Sequence, residues 1–320
     1  MGLGGRRQVQ SLPVDSMNSD SLAEQGRSKI AAARLSVISN CILTAAKIIV
    51  GLAIGSIAVV AEGLHSGVDL VAAVMAFWSV RVASQPADEA HPFGHGKFES
   101  LSAIIEGALI FIAAVGIIWA AIGRLTRGGT EISTPLAGAA VMAVSTVVNI
   151  VVSTYLFRIA ARTESPALEA DAWHLRTDVY TSAGVLVGMA AIHIGKAAHL
   201  PWASLIDPIA ALIVAIAICH AAWDITYRSA RHLTDRMLPS SEHRMIEALI
   251  TEHYPQFVNY HRLRTRRAGS ERHIDLHLVV PPGTHVEDAH ALCDHLEEDI
   301  RRTLPNVQML IHVEPEDHQD

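Results

Sequence analysis

The 320-residue chain has little charge, few aromatic rings and little cysteine: 18% of its residues are Asp, Glu, Lys or Arg, 5% are aromatic, and three are Cys. Cys41, Cys219 and Cys293 lie far apart and form no CxxC pair, which excludes a redox dithiol or thiolate zinc ribbon and leaves packing roles. The first 28 residues hold Arg6, Arg7 and Arg27 among Ser, Asp and Gln but no apolar run. A cleavable signal peptide is therefore not expected there, and a flexible leader is. A soluble domain of this length carries nearer about a quarter charged residues. The deficit is uneven, because long apolar runs fill the chain between about residues 30 and 230.

Six segments reach the roughly 20 residues needed to cross a hydrocarbon core. They fall near 32–54, 58–81, 100–123, 134–157, 169–192 and 205–228. Breaks are predicted at Gly55-Ser56, the loop from Pro86 to Gly96, Gly128-Gly129, Glu164-Ser165-Pro166 and Leu200-Pro201. Arg27, Lys29, Arg34, Arg81, Lys97, Arg158, Arg162, Arg228 and Arg231 flank one side; Arg124, Arg127 and Lys196 flank the other. That bias places both termini in the cytoplasm. After Pro239 the composition changes: residues 239–320 hold 15 acidic and 8 basic side chains and 10 of the 18 histidines. The pattern implies a membrane domain followed by an acidic soluble one. The expected divisions are a leader at 1–28, a six-helix membrane domain at 29–232, a soluble domain at 233–316 and a tail at 317–320.

In the soluble part, periodicity predicts helices over 240–253 and 286–302 and strands over 260–265, 273–280 and 307–313. Arg267-Ala-Gly-Ser270 reads as a hairpin turn. Helix, two strands, helix and strand form a ferredoxin-like αββαβ arrangement.

Charge inside the apolar runs carries the chemistry. The second segment contains Glu62, His65 and Asp69, and the fifth contains Asp171, His174 and Asp178. Each such group costs at least ~2.5 kcal/mol in a spanning helix, so six of them call for a purpose. His65 and Asp69 are four apart, as are His174 and Asp178, which puts each pair on one helical face. Two imidazoles and two carboxylates suit tetrahedral Zn²⁺. Binding requires neutral His and ionised Asp, so metal competes with protons, which is the physical basis of exchange. Ala61-Glu62-x-x-His65-x-x-x-Asp69 also repeats as Ala170-Asp171-x-x-His174-x-x-x-Asp178, as in transporters built from inverted halves. Glu62 and Asp171 have no assigned role; a position guiding cations near the outer interface is an alternative to direct ligation. Lys47 and Glu106 are read as snorkelling or paired structural groups. Gly51 with Gly55 and Gly63 with Gly67 have the small-xxx-small spacing of close helix packing. Asp88, His91 and His95 in the loop after the second segment offer a three-ligand set. The soluble domain adds His261, His277, His290, His312 and Glu314 near its strands and helices.

The paired HxxxD motifs, the Asp88-x-x-His91-Pro-Phe-Gly-His95-Gly-Lys97 loop, Leu233-Thr-Asp235-Arg236 and the His-bearing tail together resemble the cation diffusion facilitator family of metal/proton antiporters. The resemblance runs from about residue 28 to 316 and is nearest to bacterial ferrous-iron and zinc efflux members. It implies a transport site at His65, Asp69, His174 and Asp178 and a second site at Asp88, His91 and His95. It also implies a binuclear cytoplasmic site at His261, His277, His290 and His312, with Glu314 where relatives often have Asp. Lys97 and Asp235 match an ion pair that holds the family's homodimer together. His65 stands where the nearest bacterial relatives have Asp; imidazole is the softer donor, favouring Zn²⁺ over Mn²⁺.

The expectation is a homodimeric, non-enzymatic Zn²⁺/H⁺ antiporter, multi-pass in an inner (plasma) membrane, with no nucleic-acid partner. Zn²⁺ would be its cargo and, in the cytoplasmic domain, a structural or sensing ion. Fe²⁺, Cd²⁺, Co²⁺ or Ni²⁺ efflux by the same machinery is the alternative cargo. A non-transporting metal sensor or partner subunit is the alternative class. A membrane metalloprotease is disfavoured by the lack of HExxH.

Overall fold

The computed structural model describes residues 14–55, 57–127, 136–197, 203–253 and 256–316. The expected breaks at Gly128-Gly129 and Leu200-Pro201, the start of the leader and the 317–320 tail lie outside the described residues. Six long helices come first: α1 (Val14–Ala53), α2 (Ile57–Ala83), α3 (Lys97–Arg127), α4 (Leu136–Thr163), α5 (Pro166–Ala197) and α6 (Ala203–Leu233). Among the described residues, five of these are long and apolar enough to cross a membrane. The remaining one, α5, carries Glu169, Asp171, Arg176 and Asp178 in its first half.

The start of α1 differs from expectation. Helix begins at Val14, inside the segment expected to be a leader. No proline interrupts the chain from Val14 into the apolar run, and the segment is held in place further on: Asn306 Nδ2 donates to Gln25 Oε1 at 3.1 Å.

The membrane helices pair α1 with α2, α3 with α6 and α4 with α5. Small residues set the spacing: Ala32, Ala33, Ala160, Ala167 and Ala172 join Leu156, Leu168 and Leu175 in one buried cluster, and Ala114 and Ala222 join Ile110 and Ile218 in another. A Cβ on Gly51 would lie 2.8 Å from Val60, and one on Gly63 would lie 2.8 Å from Ile48, so these two glycines let α1 and α2 touch. Gly67 faces open space and does not serve this contact. Large apolar side chains such as Ile49, Leu52, Val71, Ile112, Trp119, Val151 and Ile213 point outward, the arrangement that lipid as solvent favours.

The soluble part contains α7 (Ser240–Glu252), β1 (Asn259–Ala268), β2 (Glu271–Val280), α8 (Val286–Thr303) and β3 (Val307–Pro315). This is the expected αββαβ order. Central β2 is antiparallel to β1 and parallel to β3. Ile274, Leu276 and Leu278 of β2 bury one face against Ile246 and Ile250 of α7 and Leu292, Leu296 and Ile300 of α8. By strand alternation the other face carries His273, Asp275 and His277. The strands run further than their apolar patterns predict, up to a turn at Gly269-Ser270.

That turn docks on the membrane domain. Gly269 has φ +62°, and a Cβ there would lie 2.2 Å from the Gly96 carbonyl oxygen at the start of α3. Only glycine fits both the conformation and the approach. Around the contact, Lys29 Nζ bonds Glu99 Oε1 at 2.7 Å and Ser270 Oγ at 3.0 Å, and Ser165 Oγ donates to the other Glu99 oxygen. Glu164, in the α4–α5 connection, receives Arg267 and Arg272; Arg272 also holds Glu242 at 2.8 Å.

Candidate metal centres

Three clusters of metal-ligating side chains occur among the described residues, each with ligand atoms within 4.8 Å of one another. The first joins α2 to α5. Asp69 lies buried, its Oδ1 3.1 Å from His174 Nε2, and Asp178, one turn beyond His174, completes the group. The four-residue spacing in α5 stacks His174 and Asp178 on the face that meets α2. His65 does not join this trio. Its side chain is exposed, one helical turn from Asp69.

Around the trio, the other intramembrane charges find definite places. Lys47 of α1 is buried and bonds Ser66 Oγ at 2.7 Å and Glu62 Oε1 at 3.1 Å, so Glu62 is the partner of a lysine. Thr44 Oγ1 donates to the Ser66 carbonyl at 3.0 Å and ties the same helices. Arg176 donates to Thr154 at 2.9 Å and lies 5.7 Å from the Phe157 ring centre. Glu106 is fully buried, and neither carboxylate oxygen has a hydrogen-bond partner. On α5, Asp171 Oδ2 is likewise buried without a hydrogen-bond partner.

The second cluster is the loop trio. Asp88 Oδ1 accepts backbone N–H groups from Ala90 and His91 at 2.9 and 2.7 Å, and those bonds hold its carboxyl below the ordinary carboxylate range, with His95 adding to the effect. Its two oxygens lie 3.4 Å from His91 Nδ1 and His95 Nε2. Phe98 packs beside both imidazoles. Lys97 follows and reaches Asp235 at 2.8 Å within the same chain, and Arg266 shares that carboxylate at 3.1 Å.

The third cluster lies on the outer face of the sheet. His261, His277 and His312 are direct neighbours across β1, β2 and β3, with ring centres 5.1 and 4.8 Å apart. Glu314, two residues beyond His312, is bonded to His277 and approaches His261 Nε2 at 3.4 Å. Burial pushes the Glu314 carboxyl up, but the hydrogen bond and the three imidazoles outweigh it and hold it below its ordinary value. His261 Nε2 and Glu314 Oε2 are both buried without a hydrogen-bond partner. Orphaned donor atoms facing one another are what a cation would satisfy, so this set fits a bound metal. His312 is largely exposed at the margin, and His290, on α8 beside Asp294, stands apart from the cluster.

A bundle of apolar helices with a carboxylate–imidazole trio buried inside it, and more metal-type clusters beneath, defines a multi-pass membrane protein that handles metal cations. Sequence comparison specifies the class. Residues 33–234 match the cation efflux transmembrane domain, and residues 238–316 match the cation efflux protein cytoplasmic domain. The chain belongs to the cation efflux, or cation diffusion facilitator, family. An uncharacterized transporter of Synechocystis is 36% identical over 82% of each chain. The cation-efflux pump FieF of Pectobacterium atrosepticum is 31% identical over 82% of this chain and 84% of its own. Among solved structures, the metal-bound C-terminal domain of the CzcD transporter from Thermotoga maritima is 29% identical, covering 26% of this chain and 100% of that one, with a TM-score of 0.24.

Proposed function

We propose that the chain is a homodimeric Zn²⁺/H⁺ antiporter that exports zinc from the cytoplasm across the plasma membrane, with both termini inside. The observation that carries the reading is the buried Asp69–His174–Asp178 trio between α2 and α5. Two carboxylates and one imidazole give a divalent cation its charge balance and a borderline-soft donor. His65, one turn from Asp69, supplies the second imidazole and completes a tetrahedron when the ion enters. Metal and protons compete for the same nitrogens and oxygens, so a proton gradient can drive release on the outer side. His65 and His174 are the expected proton carriers, imidazole being the side chain that titrates nearest neutrality. The loop trio and the sheet-face cluster bind metal for stability or sensing, outside the transport step. Lys97 and Asp235, already paired within one chain, help to hold the dimer.

The test is zinc flux into proteoliposomes under an imposed pH gradient, with wild type and Asp178→Ala side by side and Cd²⁺, Co²⁺, Ni²⁺ and Fe²⁺ as competitors. Gradient-dependent flux in the wild type, absent from Asp178→Ala, is expected. Full transport by the variant would refute the site. A folded dimer that moves no divalent ion would favour the sensor reading.

A further inference from the structure

A cavity of about 430 Å³ opens where the inner ends of α4, α5 and α6 meet the soluble domain. Its walls are of two kinds. Phe157 and Ile225 are among its apolar lining; its charged lining is Arg228, Arg231, Arg236 and Arg267, with Glu164 and Glu169 each engaged by one of these arginines. Two of the four arginines are already matched: Arg228 with Glu169 at 2.7 Å and Asp224 at 3.0 Å, and Arg267 with Glu164. The other two have no carboxylate partner among the described residues. Arg231 lies 5.9 Å from the centre of the Tyr227 ring, and Arg236 donates to the Tyr227 hydroxyl at 3.1 Å. Arg267 Nε is also buried without a partner.

The position is as informative as the charge. The membrane-crossing stretch of α6 ends at Leu233, so Arg228 and Arg231 lie in its final turns. Tyr227 and Trp223, one and two turns back, are 47% and 64% exposed, the placement of aromatic side chains at a membrane–water interface. Phosphate esters are the anions whose geometry matches paired guanidinium forks. A soluble phosphate would use only the basic wall. A phospholipid would use both, with its phosphate on the arginines and its glycerol and upper acyl chains along Phe157 and Ile225. Basic pockets between helices on this side of a membrane suit such headgroups.

We propose that this cavity binds the phosphate headgroup of an anionic phospholipid of the inner leaflet, held by Arg231 and Arg236. Because α4, α5 and α6 and the first residues of the soluble domain all contribute to it, a bound lipid would brace the joint between the two parts of the chain. The inference rests on the membrane placement of the helices and not on the identity of the transported metal.

The experiment uses the full-length protein in neutral detergent. Phosphatidylglycerol, phosphatidylcholine and inorganic phosphate are titrated separately, and the thermal unfolding midpoint gives the half-saturating amount of each. Phosphatidylglycerol is expected to raise the midpoint and saturate, while the other two leave it unchanged. The double variant Arg231→Gln/Arg236→Gln should need roughly thirtyfold more phosphatidylglycerol, the product of two basic contacts. Wild type alone supplies a second measure, since high salt should weaken the titration. A double variant that titrates like wild type, a response equal with phosphatidylcholine, or a salt-independent one would each overturn the site. An equal response to inorganic phosphate would assign the cavity to free phosphate and overturn the lipid reading. Zinc flux is not the readout, so failure here leaves the antiport reading standing.

Discussion

His65 stands one helical turn from Asp69, yet its side chain is exposed while Asp69 is buried. In the proposed site three ligands leave a tetrahedral ion one short, and His65 is the imidazole expected to take the fourth place. His65→Ala should therefore weaken zinc more than it weakens folding. The expected result is an apparent zinc affinity lowered at least ~10-fold in proteoliposome flux, with an unchanged thermal midpoint in the absence of metal. Unchanged zinc affinity would mean that water or another group fills the fourth position. The HxxxD spacing made both pairs visible in sequence because lipid makes every intramembrane charge conspicuous. The inequality between the two histidines was not visible, because it depends on how α2 is rotated against its neighbours.

At the scale of elements, the joint between bundle and sheet domain depends on one deeply buried guanidinium. Arg272 bonds Glu164 and Glu242 and donates to the Pro305 carbonyl at 2.9 Å. Arg272→Gln leaves partly buried Glu242 without its guanidinium and Glu164 with Arg267 alone, at a cost of about 3 kcal/mol, read as a lower denaturation midpoint of the joint. The same network sets a pH dependence. Burial pushes Glu164 up, but hydrogen bonds from Arg272 and the charges of Arg267 and Arg272 prevail, holding its carboxyl below its ordinary value of 4.5. A carboxylate with a depressed pKa in the folded state binds fewer protons there than when unfolded. Its stabilisation is thus complete above about pH 4.5 and is lost as acid protonates the folded form. Thermal midpoints of wild type and Glu164→Gln should converge below pH 4.5 and separate above it. Gly269→Ala tests the backbone half of the joint: a φ of +62° and the approach to Gly96 should together cost on the order of 2 kcal/mol, seen as easier proteolysis between the domains. None of these partners could be read from sequence. Glu164, Arg267 and Arg272 look like ordinary charges at the ends of elements, and only the docking of a turn against a helix start brings them together. The αββαβ order was legible because Ile274, Leu276 and Leu278 alternate with polar residues.

Over the whole molecule, the clamp of Gln25 and Lys29 on Asn306 and Ser270 puts the early part of α1 and the sheet domain at the same end of the helix bundle. The trio at Asp69 is built from α2 and α5, whereas the row of His261, His277 and His312 lies on the sheet and shares no residue with it. If the two centres do separate work, they can be uncoupled. Metal that binds the folded sheet domain but not the unfolded chain stabilises it by mass action, about 2.7 kcal/mol at a hundredfold excess over its dissociation constant. His277 sits at the middle of the row and bonds Glu314, so His277→Ala should reduce the zinc-dependent rise in thermal midpoint expected of wild type, by the share that the sheet-face ion contributes. Flux at saturating zinc under a fixed pH gradient should stay within about threefold of wild type, a difference of less than 1 kcal/mol in the transport barrier. If flux instead collapses while the protein stays folded, the sheet-face ion is part of the transport cycle. The joint at Arg272 and Gly269 would then be the physical path by which its occupancy reaches Asp69.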